Sequence, residues 1–132
     1  MLPSNTSGSV TIPLNTTPTI LASLSIHSDR DNDIVLLTAT VGWLAVTNGT
    51  GLDRVNVLFK FWRNAVGGTL IFSADDSSEA DAANRKVTSF EHVDIGFEAG
   101  RVTYFLTAEL PDPGSTATVI APITFTATGI RE

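Results

Sequence analysis

The sequence predicts an all-β domain, a jelly-roll-type antiparallel β-sandwich of about eight strands with an extended N-terminal arm. Three observations lead there. Apolar and polar residues alternate along most of the chain, turn-prone clusters interrupt the alternation at regular spacing, and no segment carries a helical period.

The elements follow in chain order. Residues 1–8 (MLPSNTSG) are small, polar and turn-prone and read as a mobile arm. SVTIPL follows as a short extended piece. Pro13 cannot donate to a ladder, so this piece is an edge strand or part of the arm. The spacing predicts two parts, a flexible arm or donor strand over 1–16 and a sandwich domain over 17–132.

Thr19 to His27 alternates, with Ile20, Ala22, Leu24 and Ile26 on one face. The polar SDRDND stretch turns the chain. Ile34 to Val46 is a long run with Leu37, Ala39, Val41 and Trp43 on one face. TNGTGLD is a loop. Arg54 to Arg63 is the clearest strand, with Val55, Val57, Phe59 and Phe61 set against Asn56, Leu58, Lys60 and Trp62. Gly67-Gly68 marks a tight hairpin into TLIFSA. DDSSEADAANRK reads as a long exposed loop. Val87 to Ile95 is a weaker strand. Arg101 to Leu110 alternates again, and PDPGS turns the chain into a last run from Thr116 to Ile130.

Composition excludes several functions. There is no cysteine, hence no disulfide framework, thiolate metal site or thiol nucleophile. A net charge of -6 repels phosphates and anionic lipid headgroups, so neither nucleic acid nor a membrane is an expected partner. No stretch approaches the roughly 20 apolar residues of a membrane helix. No basic region leads into an apolar stretch at the N-terminus, the pattern expected of a mature form or of export by a non-standard route. Charged residues make up only 17% of the chain while Thr and Ser dominate the polar remainder, which fits an extracellular β protein.

Each motif with catalytic or metal potential fails at a definite position. Asp29, Asp31 and Asp33 open like a calcium loop, but Ile34 stands where the loop needs glycine and Thr40 where it needs a bidentate Glu. A surface loop is the better reading, with weak calcium binding as the alternative. Asp75, Asp76, Glu79 and Asp81 form an acidic stretch that reads as solvated. Ser89 and Asp94 flank His92, but neighbours on a strand do not converge on one site, and no G-x-S-x-G elbow exists. His27 and His92 without cysteine are weak zinc candidates. Sequons at Asn5, Asn15 and Asn48 matter only in a glycosylating host. The expectation is no enzyme and no cofactor.

Two features point instead to assembly. The strand from Val55 to Trp62 and the strand around Tyr104 carry large apolar residues on both faces, and a bare outer face of that kind marks an interaction site. Leu58, Trp62 and Phe105 are the candidate contacts. The N-terminal arm offers Val10, Ile12 and Leu14 as anchors for a neighbour's sheet, or for an edge of its own domain.

The strand motifs IPLNTTPTIL, VGWLAVT, VLFKFWRN, IFSADDSSEA, VTSFEHVDIG, GRVTYFLTAEL and TVIAPITFTATGI, in that order, resemble those of the exosporium protein C-like proteins of spore-forming bacteria, from about Thr11 to Ile130. The resemblance implies an extracellular place on the endospore surface, in an exosporium layer or an appendage. Its partners would be further copies of the chain and other spore-surface proteins. Some related spore proteins with jelly-roll domains join through N-terminal arms. The cysteine-rich arms of one appendage group are absent here, so joining would be non-covalent. The rival expectation is a trimeric head, resembling C1q or tumour-necrosis-factor domains, that recognises a receptor or glycan.

Overall fold

A computed structural model describes residues 4–8, 11–28, 34–46, 54–79, 85–95, 100–112 and 116–130. Nine strands fill most of them: β1 (Ser4–Gly8), β2 (Ile12–Pro13), β3 (Thr19–Ser28), β4 (Ile34–Val46), β5 (Arg54–Arg63), β6 (Thr69–Glu79), β7 (Arg85–Asp94), β8 (Gly100–Glu109) and β9 (Thr116–Ile130). They form two antiparallel sheets. One runs β1-β9-β4-β7, with β2 also on β9; the other runs β3-β8-β5-β6. The chain crosses repeatedly between the sheets, and its first and last strands pair. That wrapping is a jelly roll, with β1 and β2 acting as two parts of one strand.

Alternation explains the core. Val35, Leu37, Ala39, Val41 and Trp43 of β4 face Val55, Val57, Phe59 and Phe61 of β5 across the sandwich, and all are buried. Phe61 touches the rings of Phe72, Phe90 and Phe125 at centroid distances of 5.7, 5.1 and 5.3 Å. Close aromatic pairs of this kind add to simple area burial. The β5–β6 hairpin turns as the double glycine predicts. Gly67 has φ 84°, open to glycine without a Cβ penalty, and Gly68 N donates to Ala65 O at 3.0 Å.

Three expectations need correction. Residues 4–8 are not a loose lead. They form β1, paired from Ser4↔Ala127 to Gly8↔Ile123, and the same register continues at Ile12↔Val119. Leu14 then enters the core, with its N–H donating to Ala117 O and Asn15 O accepting from Leu110 N. The reason is continuity: once Leu14 is buried, the preceding residues lie along the open flank of β9.

Second, the polar DDSSEADAANRK stretch is mostly strand. Asp75 to Glu79 extend β6, and Arg85 opens β7. Their β5 partners Asn56 and Leu58 are only half-buried, so this end of the sheet accepts polar residues. Third, Ile20 does not share a face with Leu24 and Ile26. A bulge between Ile20 and Ala22 shifts the phase and leaves Ile20 52% exposed. A second irregularity sets residues 120–122 opposite the single Gly42 and absorbs Pro122, which has no N–H to give to a ladder.

Candidate functional site

Of the six residues expected to make subunit contacts, the five described ones separate into two places. Leu14 is in the core of its own chain, and Ile12 is half-buried against that core. Val10 lies outside the described residues. Leu58, Trp62 and Phe105 share the outward face of the β3-β8-β5-β6 sheet. Register sets Ser23, Phe105, Trp62 and Leu70 in one row across it.

Trp62 is only 8% exposed although it faces outward. Its indole Nε1 donates to Thr107 Oγ1 at 2.9 Å, and Lys60 Nζ sits 5.5 Å from the ring centroid. Lys60 Nζ also lies 2.8 Å from Glu109 Oε1, an ion pair by distance without the alignment of a hydrogen bond. Most of the tryptophan is therefore covered by its own chain. Ile20 and Leu70 on the same face are more open.

Two clusters escape any motif. In one, Trp43 Nε1 donates to Thr88 Oγ1 at 2.9 Å and Thr88 Oγ1 donates to Asp76 Oδ2 at 2.6 Å. Lys86 Nζ stands 3.7 Å from Asp76 Oδ1. In the other, the Tyr104 hydroxyl donates to Asp94 Oδ2 at 2.7 Å, and Arg63 Nε lies 3.3 Å from the same oxygen as an ion pair without hydrogen-bond alignment. Asp94 is 3% exposed. Burial, reinforced by the hydrogen bond to Asp94, holds the Tyr104 phenol far above the usual tyrosine range. Both clusters tie β7 to the opposite sheet. By their contacts, both are fastenings between the sheets. Their members are far apart in sequence, and no spacing rule would have found them.

The candidate polar motifs come apart along their strands. Ser89 faces outward, hydrogen-bonded to Thr40 at 3.0 Å, while His92 and Asp94 face inward, with His92 stacked on Phe72 at 4.9 Å. Alternation thus separates the three residues that a triad would need together. Asp75 is exposed on one side of β6 and Asp76 points to the other, towards Thr88. Among the described residues no three His, Asp or Glu side chains gather as a metal site would require. Asp29, Asp31, Asp33 and Asp81 fall outside them, as does the side chain of Glu79. Among the same residues no helix is long and apolar enough to cross a membrane.

No known protein family matches the sequence, and no curated protein does. Solved structures do match in shape. A chain in the structure of infectious bursal disease virus Gt strain superimposes with a TM-score of 0.51 at 10% identity, over 98% of this chain and 38% of that one. The corresponding chain of the Gx strain gives 0.48 at 9% identity, over 95% and 36%. Dimeric latent PorU from Porphyromonas gingivalis gives 0.48 at 11% identity, over 97% and 13%. At such identities the likeness is one of fold alone, and this chain spans well under half of each.

Proposed function

We propose that the chain is a structural subunit that assembles non-covalently into a bacterial endospore-surface filament or exosporium layer, with its N-terminal strand pairing on β9 of a neighbour. One observation supports this above the others. β1 contains only Ser, Asn, Thr and Gly, and it pairs with β9 through a main-chain ladder that any copy's β9 could equally supply. Leu14 is the first of the described core residues along the chain.

A segment held in that way exchanges at little cost. Moving Ser4–Pro13 from its own β9 to a second copy's recreates the same pairs, so the two states differ mainly in association entropy. Ten extended residues reach roughly 33–36 Å, enough to cross to an adjoining domain. Each exchange is head-to-tail, and a head-to-tail contact that does not close becomes a filament. The spore surface enters through the resemblance in strand motifs.

Paired cysteines test the exchange, because the native chain has none. Ser7 and Thr124 are register partners, and directly opposed antiparallel residues lie within about 4.5–5.5 Å, the range a disulfide spans. On oxidation, S7C/T124C protein should give a ladder of covalent oligomers on a non-reducing gel. If only internally closed monomers form at polymer-forming concentrations, the exchange reading is wrong.

The rival reading, a trimeric binding head, draws on Ile20, Leu70 and Phe105 across the outward β3-β8-β5-β6 face. A discrete trimer in sedimentation would favour it, and open-ended polymers would count against it.

A further inference from the structure

The outward face of the β1-β9-β4-β7 sheet differs from the rest of the surface in its charge. The chain has 8 basic and 14 acidic side chains. Among the described positions of this face, only Arg85 and Glu91 of β7 are charged. Register lays Thr124, Thr40 and Ser89 in one row and Thr126, Thr38 and Glu91 in the next.

Four hydroxyls at the centre of this face are already paired. Thr38 bonds to Thr126, and Thr40 bonds to Ser89 at 3.0 Å. Covering these four leaves none of them unpaired, so it avoids the desolvation cost that free hydroxyls carry. Val87 and Val93 stand on either side of the rows, 56% and 45% exposed. Between β4 and β7 runs a groove of about 320 Å³ lined by Thr38, Thr40, Ser89 and Glu91. The face is polar by composition yet cheap to dry, and it carries both apolar projections and a hollow.

We infer that this face is a contact between two copies of the chain, packed sheet on sheet about a two-fold axis that crosses β7 at Thr88. Such an axis reverses β7 against β7 of the second copy. Arg85 then meets Glu91 of the second copy, and the same pair recurs by symmetry. Val87 falls opposite Ser89 of the second copy, where the groove lies. Two chains of net charge -6 repel. This face lets them meet with its only two charges compensated. A sugar-binding role fits less well, because the four central hydroxyls are spent on one another and no aromatic side chain stands among the described positions of the face.

Charge reversal tests the arrangement on the full-length chain, by sedimentation velocity below polymer-forming concentrations. The unaltered chain should dimerise reversibly. R85E and E91R should each weaken the dimer about tenfold or more, since each sets like charges together twice. The double variant R85E/E91R should restore it. S89K, which fills the groove, should abolish it with no rescue. Circular dichroism and an unchanged thermal midpoint establish that each variant is folded. An unaltered chain that stays monomeric overturns the inference, as do dimers that ignore all four changes. Single variants that lose the dimer without recovery in the double overturn the two-fold arrangement. The cysteine ladder reads the pairing of β1 with β9, whereas charge reversal at Arg85 and Glu91 acts on β7 at the opposite edge of the sheet and leaves that pairing intact. Loss of the dimer in R85E with an unchanged ladder therefore separates the two contacts.

Discussion

The two long sides of the sandwich are closed in different ways. Along the β6–β7 side, side chains do the fastening. Asp76 joins Thr88 and Lys86, Phe72 packs on Phe90 and His92, and Asp94 holds Tyr104 and Arg63. Along the β1–β9 side, a strand of Ser, Asn, Thr and Gly lies on β9 through the ladder. The β6–β7 side depends on buried side-chain contacts between the sheets, whereas β1 pairs with β9 through a main-chain ladder whose bonds a second copy's β9 could equally make.

Breaking the firm side should have the largest effect. Asp94→Ala leaves the buried Tyr104 hydroxyl without its acceptor and the partly exposed Arg63 without its counter-ion, a loss of about 2–4 kcal/mol, just under that of a fully buried pair. Chemical denaturation would measure it, and a loss below about 1 kcal/mol would show that this side is no firmer than the other.

Alkaline pH strains the same fastening more gently. Tyr104 is the chain's single tyrosine, so phenolate absorbance reads it alone. Its folded pKa is raised, so its contribution is complete below the unfolded value near 10 and declines as pH climbs above it. The phenolate signal should stay absent in the native chain and appear together with unfolding. Smooth titration of a folded chain near pH 10 would contradict the burial.

Removing residues 1–8 should have the smallest effect on stability, about 1 kcal/mol or less. The net gain from a few ladder bonds is largely offset by the entropy of ordering those residues. Hydrogen exchange should agree, with β1 amides exchanging far faster than those of β7. Equal protection on the two sides would remove the contrast.

Sequence patterning made the strongest strands legible. Ile34–Val46, Arg54–Arg63 and Thr116–Ile130 alternate cleanly and end at turn residues, and β4, β5 and β9 span those residues. β1 was not legible, because Ser4–Gly8 has no apolar member; its place is set by register carried over from Ile12 and Leu14. The acidic end of β6 resembled a loop because both of its faces are polar. The bulge at Leu21 has no local signal, and it turned Ile20 outward. Trp62 and Phe105 were legible as apolar residues on the second faces of their strands, but their shared row and the bond from Trp62 to Thr107 depend on how β5 and β8 pair. Asp94, Thr88 and Asp76 meet partners that only the wrapped topology brings near.

The pairing of β1 with β9 also has a meaning in time. β1 is made before β9, the strand it lies beside. Until β9 has left the ribosome, β1 has no groove of its own to fill. Throughout that interval, folded chains nearby already present such a groove. The balance between self-closure and joining thus depends on how crowded each new chain's surroundings are with finished ones.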